Sequence, residues 1–75
     1  MESRMRRFVL YRVKDVSGIS GTGNVAEGVI FTDGKVDLRW LTRYRSTALY
    51  DTIADVLNIH GHDGSTEVRY ADGHP

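Results

Sequence analysis

Apolar and polar residues alternate along 36–41, as they do in a strand with one buried face, and the stretch 25–31 just before it also has the pattern of a strand. Asp33 and Gly34 lie between them, and Asp-Gly at that place is a strong signal for the tight turn of a β-hairpin, with both residues at the centre of a type I′ turn. Gly28 interrupts the stretch 25–31, which predicts a bulge or close packing under a large side chain.

Three further stretches predict strands around this hairpin. Residues 8–13 are rich in β-branched and aromatic residues and residues 65–70 alternate, whereas residues 47–50 fit either a strand or the first turn of a helix. We favour the strand. One face of each strand and of the helix described next should form the core. The predicted core residues are Val9, Tyr11, Val29, Phe31, Leu38, Trp40, Ile53, Val56, Leu57 and Val68.

One short helix is predicted at about residues 52–60. Thr52 is a suitable N-cap, Asp55 follows it at a weak capping-box spacing, and Gly61 suits the C′ position. A helix that covers one face of a small curled antiparallel sheet is then the natural architecture. We therefore expect an α+β fold with four to five strands, for which an SH3-like partial barrel is one realisation, and the strand order stays open.

Length and composition bound the class of protein. The 75 residues fit one domain, 1–75, with flexible ends at 1–6 and 72–75. A chain this short buries only about 60% of its unfolded surface, and without cysteine no disulfide supports the thin core. No apolar run approaches the roughly 18 residues of a membrane span, and no apolar segment of a signal peptide follows the basic start. We infer a cytoplasmic protein that does not enter membranes.

The charges are balanced in number but not in position. Net charge is zero, yet residues 1–14 carry +4 and residues 46–75 carry −4, so the two ends either pair with each other or form a contact surface. Eight of the ten basic residues are arginine, which favours bidentate and stacked contacts. If the basic segments converge, they form a surface for an acidic partner. The candidate binding residues are Arg4, Arg6, Arg7, Arg12, Arg43, Tyr44 and Arg45.

Signals for catalysis and cofactors are weak. Residues 18–23 are glycine-rich, but a strand follows them rather than the helix that a phosphate-binding loop needs. His60, His62 and Asp63 are weak candidates for a metal site, because zinc usually takes three or four ligands in a fixed geometry. An alternative for His60 is a capping role at the helix C-terminus. We therefore predict no catalytic residue, no cofactor and no metal.

Three stretches together resemble a group of short proteins from actinobacteria, actinobacterial phages and haloarchaea. They are 20–29, which carries SGTG and VAEGV; 33–40, which carries DG and LRW; and 59–66, which begins IHGH. The resemblance implies an intracellular protein encoded by a phage or mobile element, and it implies no activity.

Taken together, these features predict a small non-enzymatic interaction domain, a phage-encoded or regulatory accessory protein that binds another protein. The alternative is a nucleic-acid-binding module that uses an arginine and aromatic face. A metal-dependent hydrolase ranks third. The sequence leaves open whether a second copy of the chain is also a partner.

Overall fold

The computed structural model describes residues 5–14, 22–61 and 64–71. Within them the elements are, in chain order, β1 (Arg6–Arg12), β2 (Gly23–Ile30), β3 (Val36–Trp40), β4 (Thr47–Tyr50), α1 (Ile53–His60) and β5 (Thr66–Tyr70). The strands form one antiparallel sheet in the order β4-β3-β2-β1-β5. The α+β class is confirmed. The SH3-like partial barrel is not, because the sheet is open and β4 and β5 are its two edges.

The first and last strands lie side by side. Phe8 is paired with Tyr70 and Arg12 with Thr66, and the Ala71 N–H donates to the Arg7 carbonyl at 2.9 Å. The first and last strands are thus neighbours in the sheet, although β5 itself carries one acid and one base, Glu67 and Arg69, which pair with each other. β1 already begins at Arg6, and residues 1–4 and 72–75 of the predicted flexible ends lie outside the described residues.

The predicted hairpin joins β2 to β3, with a loop one residue longer than expected. The Phe31 N–H donates to the Lys35 carbonyl at 2.8 Å, and the Gly34 N–H donates to the Phe31 carbonyl at 2.9 Å. The loop therefore has three residues, 32–34. Gly34 has a φ of 92°, as is usual for a three-residue hairpin loop, in which a turn is followed by one residue in the left-handed conformation. Lys35 N–H also donates to Asp33 Oδ1 at 3.0 Å.

The predicted fourth strand and helix are both confirmed. Residues 47–50 form β4, and the Asp55 N–H donates to the Thr52 hydroxyl at 3.1 Å, which makes Thr52 the N-cap of α1. Gly61 is the C-cap rather than the C′ residue, since its φ of −70° stays in the right-handed region while its N–H donates to Leu57. Among the described residues, no helix is long and apolar enough to cross a bilayer.

The core lies between α1 and one face of the sheet. Its buried residues are Phe8, Leu10, Val25, Ala26, Val36, Leu38 and Val56. Leu38 and Val56 are confirmed as core residues. Trp40, Ile53 and Val68 pack against this cluster while remaining partly exposed.

The predicted inward face of β1 is wrong. Phe8 and Leu10 are buried against the helix, so Val9 and Tyr11 lie on the opposite face. The reason is Arg12, which shares the face of Leu10 and is nevertheless only 7% exposed. Its Nε donates to the hydroxyl of Thr66, its neighbour on β5, at 3.3 Å, so this buried donor has a partner.

The predicted inward face of β2 is also wrong. Gly28 lies on the helix side and leaves space for the ring of Phe8, so Val29 lies on the other face. Phe31, just beyond the strand, is 38% exposed. Leu57 on α1 has the same exposure and lies at the rim of the core rather than in it.

Candidate interaction surface

The face of the sheet opposite α1 has no covering element within the described ranges. We call it the uncovered face. It comprises Arg7, Val9, Tyr11, Glu27, Val29, Asp37, Arg39, Thr47, Leu49, Glu67 and Arg69. Because strands are spaced about 4.8 Å apart, five of them make a platform roughly 20 Å wide.

Strand register arranges these side chains in rows across the sheet. In one row Val9 lies between Arg69 and Glu27, and Glu27 is paired in turn with Arg39. The row therefore places an apolar side chain among alternating charges.

The neighbouring row follows the same pattern. It runs from Arg7 through Val29 and Asp37 to Leu49, whose side chain is 77% exposed. The two valines thus form a half-buried apolar centre, and an open depression of about 400 Å³ lies over them.

The uncovered face is electrically balanced. Its cations are Arg7, Arg39 and Arg69, and its anions are Glu27, Asp37 and Glu67. Among the described residues, the only salt bridge within it joins Arg69 Nη2 to Glu67 Oε1 at 2.7 Å, and the Arg69 guanidinium also stacks 3.6 Å from the Tyr11 ring. The other four charged groups form no salt bridge among the described residues, although Arg39 Nη1 donates to the Thr47 hydroxyl at 3.1 Å.

A second ion pair lies at the β4 end of the sheet. Lys35 Nζ donates to Asp51 Oδ1 at 2.9 Å, with the two side chains 58% and 79% exposed. This hydrogen bond, together with the charge of Lys35, holds the pKa of Asp51 below its usual value. The same contact raises the pKa of Lys35.

The candidate arginines of β1 are distributed over different surfaces. Arg7 lies on the uncovered face, while the Arg6 guanidinium stacks 3.8 Å from the Tyr70 ring on the helix side. Arg12 is buried beside Thr66. Arg4 lies outside the described residues.

The other candidate residues, Arg43, Tyr44 and Arg45, lie in the exposed loop between β3 and β4. The Tyr44 side chain is 79% exposed and the Arg43 guanidinium is 5.3 Å from its ring. This loop borders a cavity of about 440 Å³. It follows Trp40, which pairs with Ala26, so it lies at the opposite end of the sheet from Arg7. Arg7 is therefore remote from this loop, whereas Arg12, at the loop end of β1, is buried.

His60 packs between α1 and the sheet. Its Nε2 is 2.9 Å from the Tyr50 hydroxyl, and its ring meets Trp40 edge-on with centroids 4.8 Å apart. His62 and Asp63 lie outside the described residues. Within the part of the chain that the structure describes, no three potential metal ligands come together.

Most of the uncovered face was not predicted as a site. Val9, Tyr11 and Val29 were expected in the core, and the alternation in β3 indicated only that Asp37 and Arg39 point outward. Recognising that these residues share one platform requires the strand order, which the sequence pattern left open.

These observations define a small α+β protein with one covered and one uncovered sheet face. The chain belongs to the Acb5 phage protein family, whose profile matches residues 5–72. No curated protein and no solved structure shows significant similarity to it.

Proposed function

We propose that this chain is a phage-encoded accessory protein that acts in the cytoplasm by binding another protein through the uncovered face, without catalysis. The observation that carries the proposal is the combination of an apolar centre, Val9 and Val29, with a balanced surround of three cations and three anions. The family match is compatible with such a role. The resemblance suggests that similar proteins occur in actinobacteria, their phages and haloarchaea, and this distribution is part of the same proposal.

The pattern of the uncovered face fits a protein partner. Transient protein interfaces combine an apolar centre with a polar and charged rim. Complementary charges add specificity and speed association more than they add affinity. Glu27, Arg39 and Asp37 have no salt bridge among the described residues, so their charges can be matched by groups on a partner.

The same balance argues against a polyanion on this face. A nucleic-acid surface usually has a clear surplus of positive charge. Here each arginine has an acidic counterpart on the platform, and Arg69 is already held by Glu67 and Tyr11.

A nucleic-acid function has one observation in its favour, at a different place. Tyr44 is largely exposed and lies next to Arg43 and Arg45, and an exposed ring among arginines is suited to stacking with a base. The metal-dependent hydrolase gains no such support, because the His60 Nε2 already contacts Tyr50.

A charge-swap experiment separates the two surfaces. Glu27 and Arg39 are exposed cross-strand partners, so Glu27→Arg combined with Arg39→Glu preserves both net charge and their complementarity within the sheet. Only the pattern offered to a partner is reversed. The comparison variant is Arg43→Glu, in the loop, which leaves Arg45 in place. Both variants should keep the wild-type melting temperature, because exposed pairs contribute about 0–1 kcal/mol.

The readout is retention of host proteins from lysate by the immobilised chain, quantified for each variant. We expect the charge-swap variant to recover at least tenfold less of the host protein that the wild-type chain retains. The loop variant should recover as much of that protein as the wild type does. Unchanged recovery with the swap would show that the uncovered face is not the binding site. In parallel, binding to a single-stranded oligonucleotide is measured across salt concentration. Binding that falls linearly in log–log with salt and is abolished only in the loop variant would favour the nucleic-acid alternative.

A further inference from the structure

The outer edge of β4 exposes backbone groups that no described strand pairs. The Trp40 N–H donates to the Ser46 carbonyl at 2.8 Å, so Ser46 belongs to the hydrogen-bonded positions facing β3. Such positions alternate in an antiparallel pair. Ala48 and Tyr50 therefore also face β3, while the N–H and C=O groups of Thr47 and Leu49 point away from the sheet.

The sequence around this edge is complementary to itself when read in the opposite direction. With Ala48 as the centre, Thr47 matches Leu49, and Arg45 matches Asp51. A positive and a negative side chain thus lie at equal distances on either side of the centre. Both are exposed and lie just beyond the ends of β4, while Thr47 and Leu49 share one face of the strand.

We propose that two copies of this chain pair β4 with β4 in antiparallel orientation about Ala48, forming one continuous ten-stranded sheet. In this register Thr47 of each copy is opposite Leu49 of the other, and the outward groups of these residues form about four backbone hydrogen bonds. Arg45 of each copy then lies opposite Asp51 of the other.

The charged pairs are sterically and electrostatically compatible with the fold of each copy. Asp51 is 79% exposed, and Lys35 Nζ contacts its Oδ1. The second carboxylate oxygen remains for the Arg45 guanidinium of the second copy. Each end of the β4 pair would thus contain a lysine, an aspartate and an arginine.

The opposite edge of the sheet is less suited to the same pairing. The outward N–H of Thr66 on β5 already donates to the Gly61 carbonyl at 3.0 Å. Glu67 and Arg69 are paired with each other inside the strand, and Arg69 is stacked on Tyr11. On β4 the Thr47 hydroxyl accepts from Arg39 Nη1 at 3.1 Å, but among the described residues nothing hydrogen-bonds to the outward backbone groups of Thr47 and Leu49.

The pairing has a direct geometric consequence. Two adjacent antiparallel strands are related by a two-fold axis perpendicular to the sheet, so both uncovered faces lie on the same side of the dimer.

The inference does not depend on the proposed function, because it uses the β4 edge and not the sheet face. Edge-to-edge pairing of so short a strand buries less than the roughly 1,200 Å² of a stable interface, so the dimer should be weak and concentration-dependent.

The backbone part of the proposal is tested by sedimentation velocity over a range of protein concentrations with Leu49→Pro. Proline removes an N–H that points to solvent, which edge strands tolerate, and so leaves the β3–β4 ladder intact. Leu49→Ala is the control for loss of the side chain. We expect a wild-type monomer–dimer equilibrium that Leu49→Pro weakens at least tenfold and Leu49→Ala much less. A monomeric wild type at all concentrations, or an unchanged Leu49→Pro dimer, would overturn the proposal.

The register is tested by complementary charge changes. Arg45→Glu and Asp51→Lys each place like charges opposite one another in the homodimer, so each variant alone should dimerise at least tenfold more weakly. When the two variants are mixed, both pairs are again of opposite charge, and dimerisation should return. Failure of the mixture to dimerise, or wild-type species that grow beyond a dimer, would show that β4 does not pair about Ala48.

Discussion

The ring of Phe8 fills the space beside Gly28 where any other residue would place its side chain. A Cβ built on Gly28 would lie 2.7 Å from Phe8 Cζ and 2.5 Å from the Asp37 carbonyl oxygen. Phe8 and Gly28 are direct cross-strand partners, and Leu38 flanks Gly28 on the other side. The glycine thus decides which face of β2 can be buried.

Gly28→Ala should be destabilising although alanine is small. Contacts this short force the Phe8 ring or the β3 backbone to move, and overpacking of this kind typically costs about 1–3 kcal/mol. Thermal unfolding followed by circular dichroism measures the effect. Phe8→Leu in the Gly28→Ala background should recover part of the loss, whereas an unperturbed melting temperature for Gly28→Ala would contradict the packing.

Truncation of the two faces of the sheet should have unequal effects. Leu38 is fully buried, so Leu38→Ala should cost about 2–5 kcal/mol, a large part of the stability of so small a domain. Val9 lies on the uncovered face, so Val9→Ala should cost clearly less. Urea denaturation of both variants makes the comparison, and equal losses would mean that a further element covers Val9.

Gly34→Val should strain the hairpin loop without any clash. Nothing lies within 4 Å of a Cβ at Gly34, but its φ of 92° is unfavourable for a β-branched residue. Strain at such positions costs on the order of 1–3 kcal/mol. Gly34→Asn is the control, since asparagine tolerates left-handed conformations better. Equal melting temperatures for the valine and asparagine variants would show that the loop adopts another conformation.

Thr66→Val should destabilise the protein through Arg12. The change keeps the shape of the side chain but removes the acceptor of the Arg12 Nε, and an unsatisfied buried donor costs about 1–3 kcal/mol. In the Arg12→Met background the same change should be nearly neutral. A double-mutant cycle from chemical denaturation tests the coupling, and additive losses would show that the two side chains do not depend on each other.

The Lys35–Asp51 contact should be visible in the titration of Asp51. Because the folded pKa lies below the usual 3.8, the contact stabilises the protein above that pH and is lost as pH falls through the folded value. The contact also raises the pKa of Lys35 above its usual 10.5. At alkaline pH the contact is therefore lost as the pH rises through the folded pKa of Lys35. NMR of the Asp51 carboxyl should show its pKa rising toward the usual value in Lys35→Met. An unchanged pKa would contradict the hydrogen bond.

The local elements of this fold were predictable because their signals are local. The Thr52 cap, the glycine at the hairpin and the alternation of β3 each act through neighbouring residues. The buried faces of β1 and β2 were not, because both faces of β1 contain apolar residues. The choice between the two faces of β1 depended on whether Arg12 could be buried. The residue that accepts a hydrogen bond from the buried Arg12 is Thr66, which is distant in sequence.

The uncovered face could not be predicted from the sequence for a different reason. Val9 and Val29 are residue types typical of a core, and they lack a covering layer among the described residues because α1 packs on the other face of the sheet. In β2 the register with β1 shifts by one residue, because Leu10 is paired with Ala26 but Tyr11 with Asn24. This bulge places both Val25 and Ala26 in the core, which breaks the alternation on which face assignment relies.

The side-by-side placement of β1 and β5 has a consequence for synthesis of the protein. Strands β1 to β4 pair with their sequence neighbours and can associate as they emerge from the ribosome. β1 then remains an open edge until β5, which is translated after α1, docks beside it, and such non-local pairing is intrinsically slow. The nascent chain therefore exposes the edge of what becomes an inner strand, and the five strands described here form one sheet only after β5 has been translated.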